Sequence, residues 1–488
     1  MTAVLAIVFP IIWGFMILVR PEFKSRKTLC VVTGAGLITT AVLAAFVLFG
    51  GESEFLLFRL GKGMDIYFHV DSLGRLFASV VVLVWVLAGF YAFAYMKHET
   101  EEKRYFGFYV LVFGVLLALT FAGNLLTFYL FYEMMTLFSV PLVLHARTRE
   151  AMMGGLKYLF YSLCGAYMVL FGFYFLNHYA TTLTFTAGGT LNAEAVSGKE
   201  GLLLVVAFVM ILGFGVKAGM FPMHAWLPTA HPVAPAPASA VMSGIIVKMG
   251  VLGMIRVVYY LFGADFLRGT WVQTAWMILA LITVFMGSML AYREKGFKKR
   301  LAYSTVSQAS YILFGMALLE PQALTGSLLH VVFHAVIKSA LFLCAGAVIY
   351  QTGKKSVSEL RGIGKEMPVT MWCYTFASLA LIGIPPASGF ISKWHLAMGS
   401  LNTGIKVFSW LGPVILLISA LLTAGYLLPV TIHGFLPGDD YNYDTLKKKE
   451  PVKMMVIPLA ILAALAILLG VFPNALTDYI SQLVNTVL

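Results

Sequence analysis

Apolar residues fall in long unbroken runs along this chain, separated by short polar or basic loops. A membrane-spanning helix needs about 17–25 apolar residues. Runs of roughly that length occupy residues 3–19, 29–49, 73–95, 106–121, 123–144, 156–177, 202–221, 238–261, 271–291, 301–319, 324–349, 370–395, 409–430 and 454–472. They predict an all-α polytopic membrane protein with about fourteen transmembrane helices. The first run contains Pro10 and Trp13 and ends at a basic loop. It reads as a first span and not as a cleaved signal, because no small-residue cleavage site follows. The seventh run is interrupted after Lys217 by Pro222, Pro228, Pro232, Pro235 and Pro237, and the twelfth by Pro385 and Pro386. A helix can break at that depth only where protein or a water-filled cavity satisfies the freed backbone.

The two interruptions echo each other. Lys217 lies in the first broken run and Lys393 in the second. One span earlier in each case comes a lysine within an apolar helix, Lys157 in GGLKYLFYSLCGAY and Lys338 in LLHVVFHAVIKSALFLCAG. An odd offset of helices places the two units in opposite orientations. The pattern predicts two inverted five-helix repeats, residues 106–261 (helices 4–8) and 271–430 (helices 9–13). Helices 1–3 precede them in residues 1–105, and a loop and helix 14 follow in residues 431–488. Paired broken helices in inverted halves point to a transporter core.

Composition agrees with a bilayer environment. Of the 488 residues 60% are hydrophobic and 11% charged, whereas soluble chains carry about 25% charged residues. A net charge of +12 would suit nucleic acid, but its distribution excludes that partner. Twenty-two Lys and Arg fall in alternate loops, and only Arg59, Lys62, Lys199, Arg268 and Lys406 in the opposite ones. The positive-inside rule puts the first set in the cytoplasm. The lipid partner is then a cell membrane, with both termini on its external side. Four cysteines (Cys30, Cys164, Cys344, Cys373) lie in apolar runs with no CxxC, so no disulfide framework or iron–sulfur ligand set is visible.

The remaining basic residues, Arg75, Lys157, Lys217, Lys248, Arg256, Lys338 and Lys393, lie within or at the ends of spans. Of 22 acidic residues only Glu133 falls deep inside one. A charged side chain at the bilayer centre costs about 2.5–3.5 kcal/mol on insertion scales, so one kept there marks a functional candidate. Burial disfavours the charged form of an amine, which lets lysines such as Lys217, Lys248 and Lys393 load and release protons. Snorkelling suits Lys157, near a helix end, better. A Glu133–Lys pair that forms and breaks would switch the lysine's protonation, and a static ion pair that fixes helix packing is the alternative.

His330, His334 and Lys338 stand at i, i+4 and i+8, on one face of one helix. Imidazole titrates near pH 6.5 and suits a relay between lysines. The same spacing could hold a metal, but no nearby carboxylate or cysteine completes a ligand set. His224 and His231 flank the broken seventh run, either lining an inlet or satisfying freed backbone groups. Tyr303, Ser304, Ser307 and Ser310 form a polar stripe that reads as interhelical hydrogen bonding. Asp71 reads as a helix cap or an external loop contact.

The segments FYEMMTLFSVPLVLH, GFGVKAGMFPMHAWLPTAHPVAPAPASAVMSGIIVKMGVLG, LAYSTVSQASYILFG, LLHVVFHAVIKSALFLCAG and GIPPASGFISKW closely resemble one family. It comprises the antiporter-like membrane subunits of respiratory complex I, Mrp-type cation/proton antiporters and energy-converting hydrogenases. The resemblance covers roughly residues 70–430. It implies a fourteen-helix core with two inverted repeats, a coupling pair at Glu133 and Lys217, and a midplane polar axis through Lys248 and Lys393. It places His330 and His334 on that axis. It also implies membrane partner subunits, further antiporter-like chains among them, with protons or sodium as the transported ion. EMMTLFSVPLVLH and HPVAPAPASAVMSGIIVK look closer to Mrp-type and hydrogenase-type members. The sequence ends soon after the fourteenth run, without the long lateral helix of the largest complex I subunit of this kind. No nucleotide, flavin, quinone or iron–sulfur motif appears, so any redox cofactor is expected in a peripheral arm. The expected function is proton translocation, with gradient-driven sodium/proton exchange as the alternative.

Overall fold

The computed structural model describes residues 2–61, 64–438, 441–442 and 447–488. Lys62, one of the five basic residues expected outside, and part of the loop after the thirteenth span lie outside the described residues. The helices are α1 (Thr2–Val19), α2 (Arg26–Leu48), α3 (Ser72–Tyr95), α4 (Glu102–Thr120), α5 (Leu125–Val143), α6 (Arg149–Tyr179) and α7 (Glu200–Ala218). The half-helix α8 (Leu227–Val233) and the helical segment α9 (Ala236–Phe262) follow. Then come α10 (Trp271–Arg293), α11 (Phe297–Ala317), α12 (Pro321–Thr352), α13 (Pro368–Ile382), α14 (Ser388–Asn402), α15 (Lys406–Phe435), α16 (Lys453–Val471) and α17 (Asn474–Val487). The protein is an all-α polytopic membrane protein.

Every apolar run falls on helix. Twelve helices are long and apolar enough to cross a membrane. The tenth run is α11, whose first turn carries Lys298, Lys299 and Arg300. The twelfth is divided between α13 and α14, each 15 residues long and too short to span alone. Side-chain caps fix several helix starts, where the first N–H groups have no helical partner. The Asn124 side chain accepts from the Thr127 N–H at 2.8 Å, and Asp71 from the Gly74 N–H at 2.8 Å. Glu320 accepts from the Ala323 N–H at 2.7 Å. The broken helices end at glycine: α7 at Gly219 (φ +79°) and α13 at Gly383 (φ +92°). Glycine takes this left-handed turn without a Cβ clash, so each break begins just ahead of the prolines that marked it in the sequence.

Helix α12 is the central column. It packs against α3, α9, α11, α13, α14, α16 and α17, and nearly all of it is buried. Helix α9 is buried along its length and approaches α7 closely at Gly250. A Cβ there would sit 2.7 Å from the Phe214 carbonyl oxygen and 3.0 Å from Lys217 Cβ.

Three features carry no clear signal in the sequence. An antiparallel hairpin, β1 (Ser53–Gly61) and β2 (Met64–Val70), joins α2 to α3. Its first strand is exposed on both faces, so it lacks the apolar–polar alternation that marks a half-buried strand. Two stretches of α9, Met242–Ile246 and Val258–Phe262, are π-helical, and no residue type announces that widening. Helix α17 is amphipathic and turns Ile480, Leu483, Val484 and Val487 inward; it is too short and too polar to read as a span.

Candidate functional site

Lys217 occupies the last turn of α7 and is fully buried. Its Nζ donates to Thr136 Oγ1 at 2.8 Å, Ser162 Oγ at 2.7 Å and Tyr158 OH at 3.2 Å. The Tyr158 ring centroid lies 4.5 Å from the nitrogen. An ammonium has three N–H donors, so this cage from α5 and α6 uses the whole set. Hydrogen bonds involving a charged group contribute about 1.5–3 kcal/mol each. Two or three of them offset the insertion cost of the lysine without a carboxylate.

Glu133 stands within electrostatic reach of Lys217 without touching it. It is half-buried on the outward face of α5, between the exposed Leu130 and Leu137. No ion pair joins Glu133 to Lys217 among the described residues. Thr136, one turn further along α5, takes the ammonium instead. The sequence reading missed the cage, since Thr136, Tyr158 and Ser162 look like ordinary helix residues until three helices converge.

Lys248 follows the first π-helical stretch of α9. Its Nζ donates to the Ser243 carbonyl at 2.6 Å and contacts Nδ1 of His334. A π-bulge is rare and recurs at functional sites. On α12, the rings of His334 and His330 stack with centroids 5.6 Å apart at 27°. His330 Nδ1 lies 2.9 Å from Ser392 Oγ, and Ser392 immediately precedes Lys393 on α14. The Tyr311 ring stacks on His330 at 5.7 Å and lies 5.1 Å from Lys393 Nζ. The structure thus lines up the buried Lys248, His334 and His330 with the half-buried Lys393. Ser392 and Tyr311, which sequence reasoning did not single out, connect its last members.

Lys393 also caps the break. Its Nζ donates to the carbonyls of Leu381 and Ile382 at 2.6 and 2.9 Å. These are the last carbonyls of α13, where a helix end leaves acceptors unpaired and favours a cation.

Lys338 is fully buried but turns away from the histidines. It donates to the Leu301 carbonyl at 3.0 Å and to Ser304 Oγ at 2.7 Å. Tyr426 OH donates to the same Ser304 Oγ at 2.7 Å. One member of the polar stripe on α11 therefore serves a lysine. Ser307 bonds Ser288 at 2.8 Å, the interhelical role expected of the stripe. Lys157 is half-buried and reaches Thr229 of α8 at 3.2 Å.

Two further groups make contacts that the sequence reading did not anticipate. Lys298, counted among loop residues, is 8% exposed and bonds the carbonyls at the α8–α9 break. Arg256 is 2% exposed and holds both oxygens of Asp71, at 2.5 and 2.8 Å, between the rings of Phe185 and Tyr260. Asp71 is thus both a helix cap and an ion-pair partner.

Comparison with known proteins places these residues in context. Residues 122–423 match the family model described as NADH:quinone oxidoreductase/Mrp antiporter, transmembrane. Residues 60–106 match that of the NADH-ubiquinone oxidoreductase (complex I) chain 5 N-terminus. The chain is 31% identical over 434 residues to NADH-quinone oxidoreductase subunit N of Desulforudis audaxviator (strain MP104C), covering 85% of this chain and 83% of that one. It is 28% identical over 455 residues to an Na(+)/H(+) antiporter subunit of Bacillus subtilis (strain 168), covering 93% and 90%. It superposes on a chain of the Mrp complex from Dietzia sp. DQ12-45-1b with a TM-score of 0.81 at 21% identity, covering 100% of this chain and 95% of that one.

Proposed function

The chain belongs to the NADH:quinone oxidoreductase/Mrp antiporter family, and on that premise we propose that it translocates protons as one membrane subunit of a larger assembly. The assembly is complex I-like, hydrogenase-type or Mrp-type, and its other subunits supply the driving reaction. The basic loops face the cytoplasm of a cell membrane, and both termini face outward. The repeats of residues 106–261 and 271–430 each contribute one broken helix and its lysine.

The observation that supports this reading best is the line from the buried Lys248, His334 and His330 to the half-buried Lys393. These groups can each hold a proton, none has a carboxylate partner among the described residues, and a positive charge on one disfavours it on the next. Lys217 is the loading station. Its cage holds the ammonium while Glu133 stands apart. A movement of α5 that brings Glu133 inward would exchange a hydroxyl for a carboxylate and change the lysine's affinity for its proton. Protons then pass to Lys248, on to the two histidines and Lys393, and leave on the external side.

Sodium/proton exchange is the second reading, and the similarity to the Bacillus subtilis Na(+)/H(+) antiporter subunit supports it. Hard cations prefer carboxylate and carbonyl oxygens, and the one deep carboxylate faces the protein's outside. A sodium site would therefore lie in another subunit of the assembly. The test of the main reading is Lys217→Ala in the native assembly, with proton uptake by inside-out vesicles followed by a pH-sensitive dye. Loss of uptake supports the relay; uptake at the parental rate rules it out as drawn.

A further inference from the structure

At the end of the bundle opposite the basic loops, two neighbouring grooves meet at Phe49, the residue that caps α2. One, of about 240 Å³, is a slot between the end of α2, the first turns of α3 and the amphipathic α17. Leu48, Leu76 and Leu476 make it apolar, and Arg75 gives it a charge. Tyr479 closes it from α17, its hydroxyl donating to the Ser72 carbonyl at 2.8 Å. The other groove, of about 390 Å³, follows Val42, Ala45, Phe46 and Phe49 along α2. Those positions are spaced i, i+3, i+4 and i+7, a single stripe about 10 Å long.

Both grooves suit hydrocarbon, but Arg75 does not. A guanidinium has five N–H donors. Here Nη1 reaches the Gly50 carbonyl at 3.3 Å, and Nη2 stands 3.6 Å from Glu52 Oε1. Nε is buried with no hydrogen-bond partner among the described residues. A charge-assisted N–H···O bond is about 2.7–2.9 Å long, so the Glu52 contact is loose. Arg256 shows the contrast, since Asp71 holds it with bonds of 2.5 and 2.8 Å. Nε and Nη2 together form the guanidinium edge that takes two phosphate oxygens side by side. Glu52 beside it is 59% exposed along its side chain, open to a ligand from the membrane surface.

We infer that the two grooves bind one phospholipid with a phosphoethanolamine headgroup. Its phosphate takes the Nε–Nη2 edge of Arg75, and its ammonium takes the Glu52 carboxylate released from that edge. One acyl chain fills the slot beside Leu76 and Leu476, and the other follows the stripe on α2. Charge complementarity selects the headgroup. A cation and an anion stand side by side at 3.6 Å, matching a phosphate and an ammonium joined by a short linker. A purely anionic headgroup satisfies Arg75 but is repelled by Glu52, and a trimethylated amine has no N–H to donate. The lipid bridges α2, α3 and α17, and α17 packs on α12, so it ties this surface helix to the central column. None of Lys217, Lys248, His330, His334 and Lys393 lines either groove, so the site is independent of the proton path.

The test places the native assembly in nanodiscs of phosphatidylglycerol with a trace of phosphatidylethanolamine carrying a diazirine in one acyl chain. After irradiation, peptides are mapped by mass spectrometry. Label should appear at residues 42–49 and 476–479. Excess unlabelled phosphatidylethanolamine should remove most of it, and the same excess of phosphatidylcholine should not. Arg75→Gln should lower the label by about tenfold or more, the scale of losing a charge-assisted hydrogen bond. Glu52→Gln should let phosphatidylcholine compete as well as phosphatidylethanolamine. The competition is read on the parent assembly, so it decides the matter even where Arg75→Gln does not assemble. No label at either segment, as when another subunit covers the grooves, overturns the site. Equal competition by the two lipids in the parent, or full labelling of an intact Arg75→Gln assembly, overturns the headgroup recognition.

Discussion

Lys248 of α9 touches Nδ1 of His334 on α12, and among the described residues no carboxylate bonds either. While the lysine donates to Nδ1, the neutral ring carries its own proton on Nε2. Two cations in contact at this depth would repel strongly, since a low-dielectric interior magnifies their interaction. The pair therefore favours one excess proton at a time, as a relay requires. The second acceptor on Lys248, the Ser243 carbonyl at 2.6 Å, lies in the π-helical stretch. The irregular backbone thus fixes where the amine stands.

Removing one wall of the Lys217 cage should weaken that station alone. Thr136→Val deletes the acceptor at 2.8 Å while keeping the side chain's shape. A bond of this kind contributes about 1.5–3 kcal/mol, so proton uptake by the assembled complex should slow by about tenfold or more. Uptake at the parental rate would show that the cage does not hold the working lysine.

Gly250→Ala should part α9 from α7. Its Cβ would meet the Phe214 carbonyl at 2.7 Å and Lys217 Cβ at 3.0 Å. Overpacking of this sort costs about 1–3 kcal/mol. The variant should assemble at lower thermal stability and translocate more slowly, because the helix that moves carries Lys248. A melting curve and uptake rate matching the parent would mean that the approach of the two helices is not needed.

Asp71→Asn should destabilise the chain more than either. It leaves Arg256 buried without its counter-charge, and breaking a buried pair in this way costs about 3–5 kcal/mol. Adding Arg256→Met should recover much of the loss, which thermal unfolding of the solubilised assembly would show. A double variant as unstable as the single one would contradict a role confined to charge balance.

His145, in the turn after α5 and outside the spans, supplies a pH test. Burial, helped by Arg104, lowers its pKa from the ordinary 6.5 to about 4. The unfolded chain then binds a proton that the folded chain refuses. The resulting stability is full above pH 6.5 and falls between there and about pH 4, by roughly 3 kcal/mol. His145→Phe should flatten melting temperature against pH across that window; an unchanged slope would assign the dependence to other groups.

The spans were legible because few structures besides a transmembrane helix need an apolar run of bilayer length, and both breaks because proline and glycine punctuate helices strongly. Line-up along α12 was legible too, since His330 and His334 are one turn apart. What spacing could not give is which neighbour each amine faces. Glu133 and Lys217 were paired by charge and do interact electrostatically, but the rotation of α5 puts Thr136 and not Glu133 in direct contact with the amine. Lys338 shares a helix face with the histidines, but its long stem reaches α11. Lys298 sits in a basic run that reads as loop, and it is buried because the proline-rich break offers it carbonyls that need a donor. The hairpin is exposed on its first strand, and the π turns are set by packing, so neither left a periodic signature.

The most direct measurement of the central claim is proton translocation by the native assembly carrying Lys248→Met, compared with the parent in the same vesicles. Methionine fills similar space but holds no proton. The relay requires translocation to fall by about a hundredfold, the scale of losing a proton-transfer group, while the assembly remains intact on a native gel. Translocation at the parental rate from an intact assembly would mean that protons do not cross this chain through Lys248 and His334.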